Sequence, residues 1–148
     1  MLAKRRDPAQ VSFNMSQVRR SGSVIEQALY QALCECRLRP SVQPNIFGHP
    51  DFAFKKYRIA VFCDSHFWHG YNWSVKKAEI RNNKEFWIKK IEGNIARDRA
   101  VGRTLRREGW VVLRFWEHDI KSSPLLCAWK VRRAIDQRKS ISNVLNCN

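Results

Sequence analysis

The first regular pattern of apolar residues predicts a helix over residues 21–36. Ile25, Leu29 and Leu33 recur at the spacing of three or four residues that places side chains on one buried helix face. Ser23 followed by Glu26 forms the capping-box pattern that starts many helices. Pro40 then prevents the helix from continuing, because proline lacks the backbone N–H that the helix needs.

Three strands are predicted from short apolar runs. Residues 51–54 and 58–64 read as a pair of strands joined by the polar turn "KKYR", and residues 110–116 read as a third strand. The second and third runs are almost entirely apolar, as expected for strands that are covered on both faces.

Two longer helices complete the pattern. Residues 83–109 carry an apolar stripe that ends at Gly109, a typical helix stop, and a last helix is predicted after Pro124, over residues 125–139. The order of elements predicts an α/β fold in which a mixed central sheet is flanked by helices. A single domain over residues 1–148 is expected, with its core at about 14–135 and flexible ends at 1–13 and 136–148.

The charge balance points to a polyanionic partner. Lysine and arginine total 28 against 13 acidic residues, which gives a net charge of +15. Nucleic acid and an anionic membrane surface are both consistent with this charge. No apolar run reaches the roughly 20 residues of a membrane-spanning helix and no secretory signal is recognisable, so we favour nucleic acid. Five cysteines without a CxxC pair are typical of free thiols in a reducing, cytoplasmic compartment.

Two acids frame the predicted strand pair. Asp51 stands at the start of the first strand and Asp64 at the end of the second, so an antiparallel hairpin would bring them to the same end of the sheet. Carboxylate oxygens are the ligands that Mg²⁺ or Mn²⁺ prefers. The alternative is that each acid simply occupies a turn or strand end.

A histidine and two further acids are candidates for proton transfer. Asp98 falls on the apolar stripe of the long helix, where a carboxylate needs a partner; that partner is either an arginine such as Arg114 or a catalytic histidine. We expect this histidine to be His69. The ordinary pKa of histidine lies near neutrality, which suits proton transfer. Glu26 either caps the first helix or reaches the site, and the two roles are compatible.

Aromatic and basic residues provide candidate contacts to DNA. Phe67, Trp68 and Trp87 either belong to the core or stack on bases. Arg19 and Arg20 lie on the approach to the first helix and are expected to contact backbone phosphates.

The chain resembles the very short patch repair endonucleases over about residues 14–120. The resemblance rests on successive blocks in matching order, which are "NMSQVRRSGSVIEQAL", "GHPDFAFKKYRIAVFCDSHFWHG", "FWIKKIEGNIARDR" and "EGWVVLRFWE". It implies the restriction-endonuclease-like fold of the PD-(D/E)xK superfamily and cleavage of a DNA phosphodiester bond. It also suggests similarity to the catalytic modules of homing endonucleases.

The resemblance also implies individual roles. Asp51 would be the principal metal-binding aspartate, Glu26 the glutamate of the first helix, and His69 the catalytic histidine paired with Asp98. Phe67, Trp68 and Trp87 match aromatics that the family inserts into DNA. Together with Asp64 and the main-chain carbonyl of Cys63, Asp51 is expected to hold Mg²⁺.

The chain departs from the family at a structural zinc site. The family's four ligand positions fall on His66, Tyr71, Trp73 and His118, and two of these are poor zinc ligands. We therefore expect no structural zinc.

The predicted function is Mg²⁺-dependent nicking of double-stranded DNA by a monomer or a dimer. The alternatives are a homing or restriction-type enzyme that makes double-strand breaks and a basic DNA-binding protein without catalysis.

Overall fold

The computed structural model describes residues 24–147. Residues 24–35 form helix α1. The other helices are α2 (His66–His69), α3 (Trp73–Glu79), α4 (Lys84–Arg107), α5 (Glu117–Ser122) and α6 (Pro124–Leu145). The strands are β1 (Ser41–Val42), β2 (Phe52–Phe54), β3 (Ile59–Asp64) and β4 (Val111–Trp116), and a turn of 3₁₀ helix over Lys55–Tyr57 joins β2 to β3.

The four strands form one mixed sheet in the order β1-β2-β3-β4. β1 and β2 are antiparallel, as are β2 and β3, whereas β3 and β4 are parallel. The parallel pair is connected through the long helix α4, as a crossover between parallel strands requires. In the register of this pair, Phe62 lies opposite Arg114 and Asp64 opposite Trp116.

Alternation along β3 separates two packing layers. Ile59, Val61 and Cys63 face a core that contains Leu29 of α1 and Val131 of α6. The intervening residues face the other side of the sheet, where Ala60 and Phe62 pack with Val101 and Leu105 of α4. Every residue of β3 is buried, because helices cover both faces of the strand.

The predicted architecture is confirmed, with a mixed sheet between helices and with the long helix and strand β4 at the predicted places. Gly109 follows α4 with a positive φ of 86°, as its predicted stop role requires. The last helix extends to Leu145, beyond the predicted end at residue 139. Ser23 of the predicted capping box lies outside the described residues.

Four short elements were not predicted, namely β1, α2, α3 and α5. Each is too short for an apolar periodicity to develop, and tertiary contacts determine whether such segments become regular. Each of the five cysteines, all within the described range, is a free thiol as predicted. No helix among residues 24–147 is long and apolar enough to cross a membrane.

Candidate active site

Asp51 lies at the outer end of the β2–β3 hairpin and its side chain turns back onto β3. Its backbone N–H donates to the carbonyl of Val61 at 3.0 Å, and its Oδ2 accepts a hydrogen bond of 2.7 Å from the backbone N–H of Cys63. The hairpin thus fixes the carboxylate at the end of the sheet, as the sequence predicted. Cys63 itself lies in β3, next to Asp64.

Glu26 reaches Asp51 from helix α1. The two carboxyl groups interact electrostatically, and the amide of Gln43 donates weakly to Glu26 Oε2 at 3.4 Å. Partial burial, followed by the charge and hydrogen bond of Asp51, raises the pKa of Glu26 to about 7. Burial also raises the pKa of Asp51, against the hydrogen bond from Cys63. Simultaneous ionisation of both carboxyl groups is therefore unfavourable in this partly buried site.

His69 and Asp98 form a close pair across two helices. Nδ1 of His69 lies 2.7 Å from Oδ2 of Asp98. Burial opposes protonation of His69, but the hydrogen bond that His69 donates to Asp98 and the charges of Asp64 and Asp98 outweigh it, so the pKa of the imidazole is raised. Burial raises the pKa of Asp98, and the contacts with His69 and Arg114 outweigh it, so the pKa of this carboxyl is lowered. Because Asp98 uses Nδ1, Nε2 is the ring nitrogen left for proton exchange.

Helix α2 is short, and its end is fitted closely against α4. Gly70 follows His69 with a φ of 68°, and a Cβ at this position would lie 2.4 Å from Cδ1 of Ile95. The amide of Asn94 donates to the carbonyl of Trp68 at 3.1 Å. These contacts hold His69 beside Asp98, one turn further along α4.

Asp64 lies in the same group but has a different main partner. Both of its oxygens accept hydrogen bonds of 2.9 Å from Nη1 of Arg114, and its Oδ1 is 3.6 Å from Nδ1 of His69. Nη2 of the same arginine is 3.6 Å from Oδ1 of Asp98. Asp98 therefore contacts both of the partners considered for it from the sequence.

One cleft of about 460 Å³ joins these groups, and Glu26, Asp51, Cys63, Asp64, His69 and Asp98 all line it. The structure thus brings the predicted catalytic set together. No cluster of three or more histidine, cysteine or acidic side chains with metal-binding geometry occurs among residues 24–147. Among the residues that line the cleft, the carboxylates of Asp51 and Glu26 and the main-chain carbonyl of Cys63 are oxygen donors that could hold a cation. Hard oxygen donors with unbalanced charge suit Mg²⁺, which retains several of its waters.

The importance of Arg114 was underestimated from the sequence. The sequence suggests Arg114 only as a partner of Asp98, although a single charge inside a strand predicted to be buried on both faces demands a partner of its own. Gln43 was missed altogether, because nothing in the sequence connects this loop residue to Glu26.

The three predicted DNA-contacting aromatics form a cluster at the edge of the cleft. The ring centroids of Phe67 and Trp68 are 5.0 Å apart, and those of Phe67 and Trp87 are 5.4 Å apart, both edge to face. Phe86, which is not among the predicted DNA contacts, packs on Trp87 at 5.0 Å and is 61% exposed. Arg19 and Arg20 lie outside the described residues.

The four positions of the family's zinc ligands hold other contacts here. His66 Nε2 and His118 Nδ1 share a hydrogen bond of 2.7 Å, and the ring of Tyr71 stacks on His66 at 4.4 Å. The indole of Trp73 points elsewhere and donates to Glu92 at 3.2 Å. The absence of zinc stays a prediction, which these ring contacts favour.

Comparison with known proteins gives a consistent result. The family model for the DNA mismatch endonuclease Vsr matches residues 3–75. A type II nicking enzyme of Neisseria meningitidis serogroup C, V.NmeDIP, is 46% identical over 136 residues, which cover 91% of this chain and 92% of the relative. The chain belongs to the Vsr endonuclease family.

Two further relatives agree with this membership. The type II nicking enzyme V.HpaIIP of Haemophilus parainfluenzae is 46% identical over 64% of this chain and 67% of its own length. The DNA mismatch endonuclease Vsr of Escherichia coli (strain K12) is 35% identical over 75% and 71%, respectively. The resemblance seen in the sequence is thereby confirmed, and membership of the Vsr family makes this chain a DNA endonuclease that nicks its substrate.

Proposed function

We propose that this Vsr-family enzyme hydrolyses one strand of duplex DNA with the help of a divalent cation, and that the reaction takes place in the cleft lined by Asp51 and His69. The observation that carries the proposal is the convergence of two groups in this cleft. One is the Glu26–Asp51 carboxyl pair, and the other is the His69–Asp98 pair.

The carboxyl pair supplies the cation site. Asp51, the carbonyl of Cys63 and Glu26, directly or through water, would hold Mg²⁺. When bound, the cation polarises the phosphate and stabilises negative charge on the departing oxygen. Asp64 is left out of this set because Arg114 donates to both of its oxygens.

His69 moves the proton. Asp98 accepts the Nδ1 hydrogen and fixes the ring, so Nε2 is free to take a proton from the attacking water or to give one to the leaving oxygen. Asp98 also stabilises the imidazolium that forms, since its own pKa is lowered and it stays ionised. His69 and Asp98 both line this cleft. Their pairing favours a catalytic protein over the alternative of a DNA-binding protein that does not cleave DNA.

DNA enters along the aromatic cluster of Phe67, Trp68 and Trp87. Insertion of such side chains between base steps opens and bends the duplex, which would bring a phosphate into the cleft. Exposed lysines and arginines contribute the part of the binding that is independent of sequence, so affinity should fall steeply with salt. The mismatch named for the Vsr family is the first substrate to test.

The test is a nicking assay on supercoiled plasmid and on matched and T:G-mismatched duplexes, with each strand labelled. We expect nicked product with Mg²⁺ and none with EDTA. Asp51→Asn should reduce the rate by at least about a hundredfold, because it removes charge from the cation site.

The control is Asp136→Asn, which alters an exposed acid on α6 that contacts Arg132. Equal activity of wild type and Asp51→Asn, or undiminished cleavage in EDTA, would reject the proposal, whereas linear product from both strands at once would support the double-strand alternative.

A further inference from the structure

Arg114 connects the two carboxylates that flank His69. Its Nη1 donates to both oxygens of Asp64 at 2.9 Å, and its Nη2 lies 3.6 Å from Oδ1 of Asp98. The guanidinium also lies over the ring of Phe62, 4.1 Å from its centroid. Nη2 is buried and lacks a hydrogen-bond partner within the described part of the chain. A single cation thus reaches one acid from β3 and one from α4.

His69 has two acceptors for one hydrogen. Oδ2 of Asp98 is 2.7 Å from Nδ1, and Oδ1 of Asp64 is 3.6 Å from the same atom. The side chain of Asp64 is only 6% exposed, so it must find its donors within the protein. Without another donor, Asp64 would compete with Asp98 for the hydrogen on Nδ1. The two bonds from Arg114 satisfy Asp64 and remove that competition.

We propose that Arg114 and Asp64 are positioning residues, which act on DNA cleavage by fixing how His69 is held. Arg114 engages Asp64 and steadies Asp98, so the imidazole donates from Nδ1 to Asp98 and presents Nε2 to the cleft. This inference rests on the proposed function in one respect, namely that His69 is the proton-transfer group. It gives Asp64 a role different from the metal-ligand role that the sequence predicts.

The strand register explains why arginine is suited to this position. Arg114 lies opposite Phe62 in the β3–β4 pair, on the sheet face that also carries Asp64 and packs on α4. A guanidinium presents several donors in one plane and can serve two carboxylates together. A lysine could reach only one of them well, so Arg114→Lys should retain part of the effect.

The first experiment measures single-turnover nicking by Arg114→Gln, Asp64→Asn and the double variant, together with their affinity for DNA. We expect Arg114→Gln to lower the rate by about ten- to a hundredfold, because a misplacement of about 1 Å can cost about a hundredfold. The DNA dissociation constant should change by less than about threefold, since the partly buried guanidinium of Arg114 is already engaged with Asp64. The loss in Asp64→Asn should be smaller.

The double variant separates a positioning role from metal binding. It removes the buried charge pair as a unit, which is often well tolerated, so it also answers the case in which Arg114→Gln fails to fold. We expect it to nick faster than Arg114→Gln, within about tenfold of wild type, because no unpaired carboxylate then competes for His69. If Asp64→Asn abolishes nicking and the double variant recovers nothing, Asp64 binds the cation and the inference is wrong. Wild-type rates in Arg114→Gln would overturn it as well.

A second readout does not depend on cleavage. The ¹⁵N resonances of the His69 ring, measured without DNA at alkaline pH where the imidazole is neutral, report which nitrogen carries the hydrogen. We expect hydrogen on Nδ1 in wild type, a mixture in Arg114→Gln, and hydrogen on Nδ1 again in the double variant. Unchanged ring resonances in Arg114→Gln would contradict the inference. Failure of the wild type to nick DNA would count against the proposed function alone, and the ring resonances would still test the inference. Arg138→Gln, which removes an arginine bonded to the carbonyl of Gly109, is the matched control and should behave as wild type in both measurements.

Discussion

His66 and His69 begin and end the same short helix, α2, but their surroundings differ in kind. His69 lies between two carboxylates, with Asp98 at 2.7 Å and Asp64 at 3.6 Å. His66 shares a hydrogen bond of 2.7 Å with His118 and stacks on Tyr71. One carboxylate, that of Glu117, lies 3.4 Å from its Nδ1.

The difference shows in the charge that each imidazole favours. Burial lowers the pKa of His66 more than the charge of Glu117 raises it. For His69, the hydrogen bond and the two nearby charges overcome burial, and the pKa is raised. Histidines three residues apart thus differ in the protonation state that their surroundings favour, and the partners across the fold determine this difference.

The strongest way to test this contrast is to remove each histidine separately. We expect His69→Ala to reduce the nicking rate by about 10²–10⁴-fold, the usual contribution of a positioned general acid or base. His66→Ala removes the same atoms from the same helix and should retain most of the activity, while its thermal stability falls. The measurement is single-turnover cleavage of a labelled duplex, alongside thermal unfolding of both variants.

Comparable losses of rate in the two variants would show that α2 acts only as a structural unit. Comparable activity in both would exclude His69 from the chemistry. Either result would remove the functional distinction between the two histidines.

A smaller effect is expected from changing the acid behind each histidine. Asp98→Asn should lower the rate by about ten- to a hundredfold, because the imidazole loses the charge that stabilises its protonated form. Asp98 raises the pKa of His69, so its loss should also shift the acidic limb of the pH–rate profile to lower pH. The measurement is the cleavage rate as a function of pH.

Asp119→Asn is the matched control for this change. Asp119 lies 3.3 Å from Nε2 of His118 on the other histidine pair, so its substitution should leave both the rate and the acidic limb in place. An unshifted profile in Asp98→Asn would mean that Asp98 has only the structural role of a partner for Arg114.

Much of this site could be predicted from the sequence, for a physical reason. Asp51 and Asp64 flank an apolar hairpin, and Asp98 interrupts an apolar helix stripe, so each acid breaks a pattern of burial that a sequence displays directly. His66 and His69 both follow the hairpin closely, and only the family resemblance distinguished His69 as the expected catalytic histidine. The family resemblance then supplied the expected roles of these residues, and membership of the Vsr family is confirmed.

The partners of these acids could not be predicted in the same way. That Asp64 bonds to Arg114 depends on the parallel register of β3 with β4, which brings together residues 50 positions apart. Helix α2 spans only four residues, too few for a periodic signal, and its position depends on the contact of Gly70 with Ile95. Pairing across the sheet and packing between helices are properties of the folded chain.

The smallest expected effect concerns stability. The contributions of His66 and His69 to the free energy of unfolding should change in opposite directions with pH. The ordinary pKa of histidine is 6.5, and that of His69 is raised in the folded protein. Its stabilising contribution should therefore be fully present below pH 6.5 and be lost as the pH rises through the raised value. The pKa of His66 is lowered from 6.5, so its contribution should be present above pH 6.5 and be lost as the pH falls through the lowered value.

Urea unfolding of wild type, His69→Gln and His66→Gln at several pH values tests this. The free energy of unfolding lost in His69→Gln should grow on acidification, whereas the loss in His66→Gln should shrink. If both losses changed in the same direction with pH, the opposite environments of the two histidines would not be reflected in their titration, and the contrast between a charged site and a packing site on α2 would have to be abandoned.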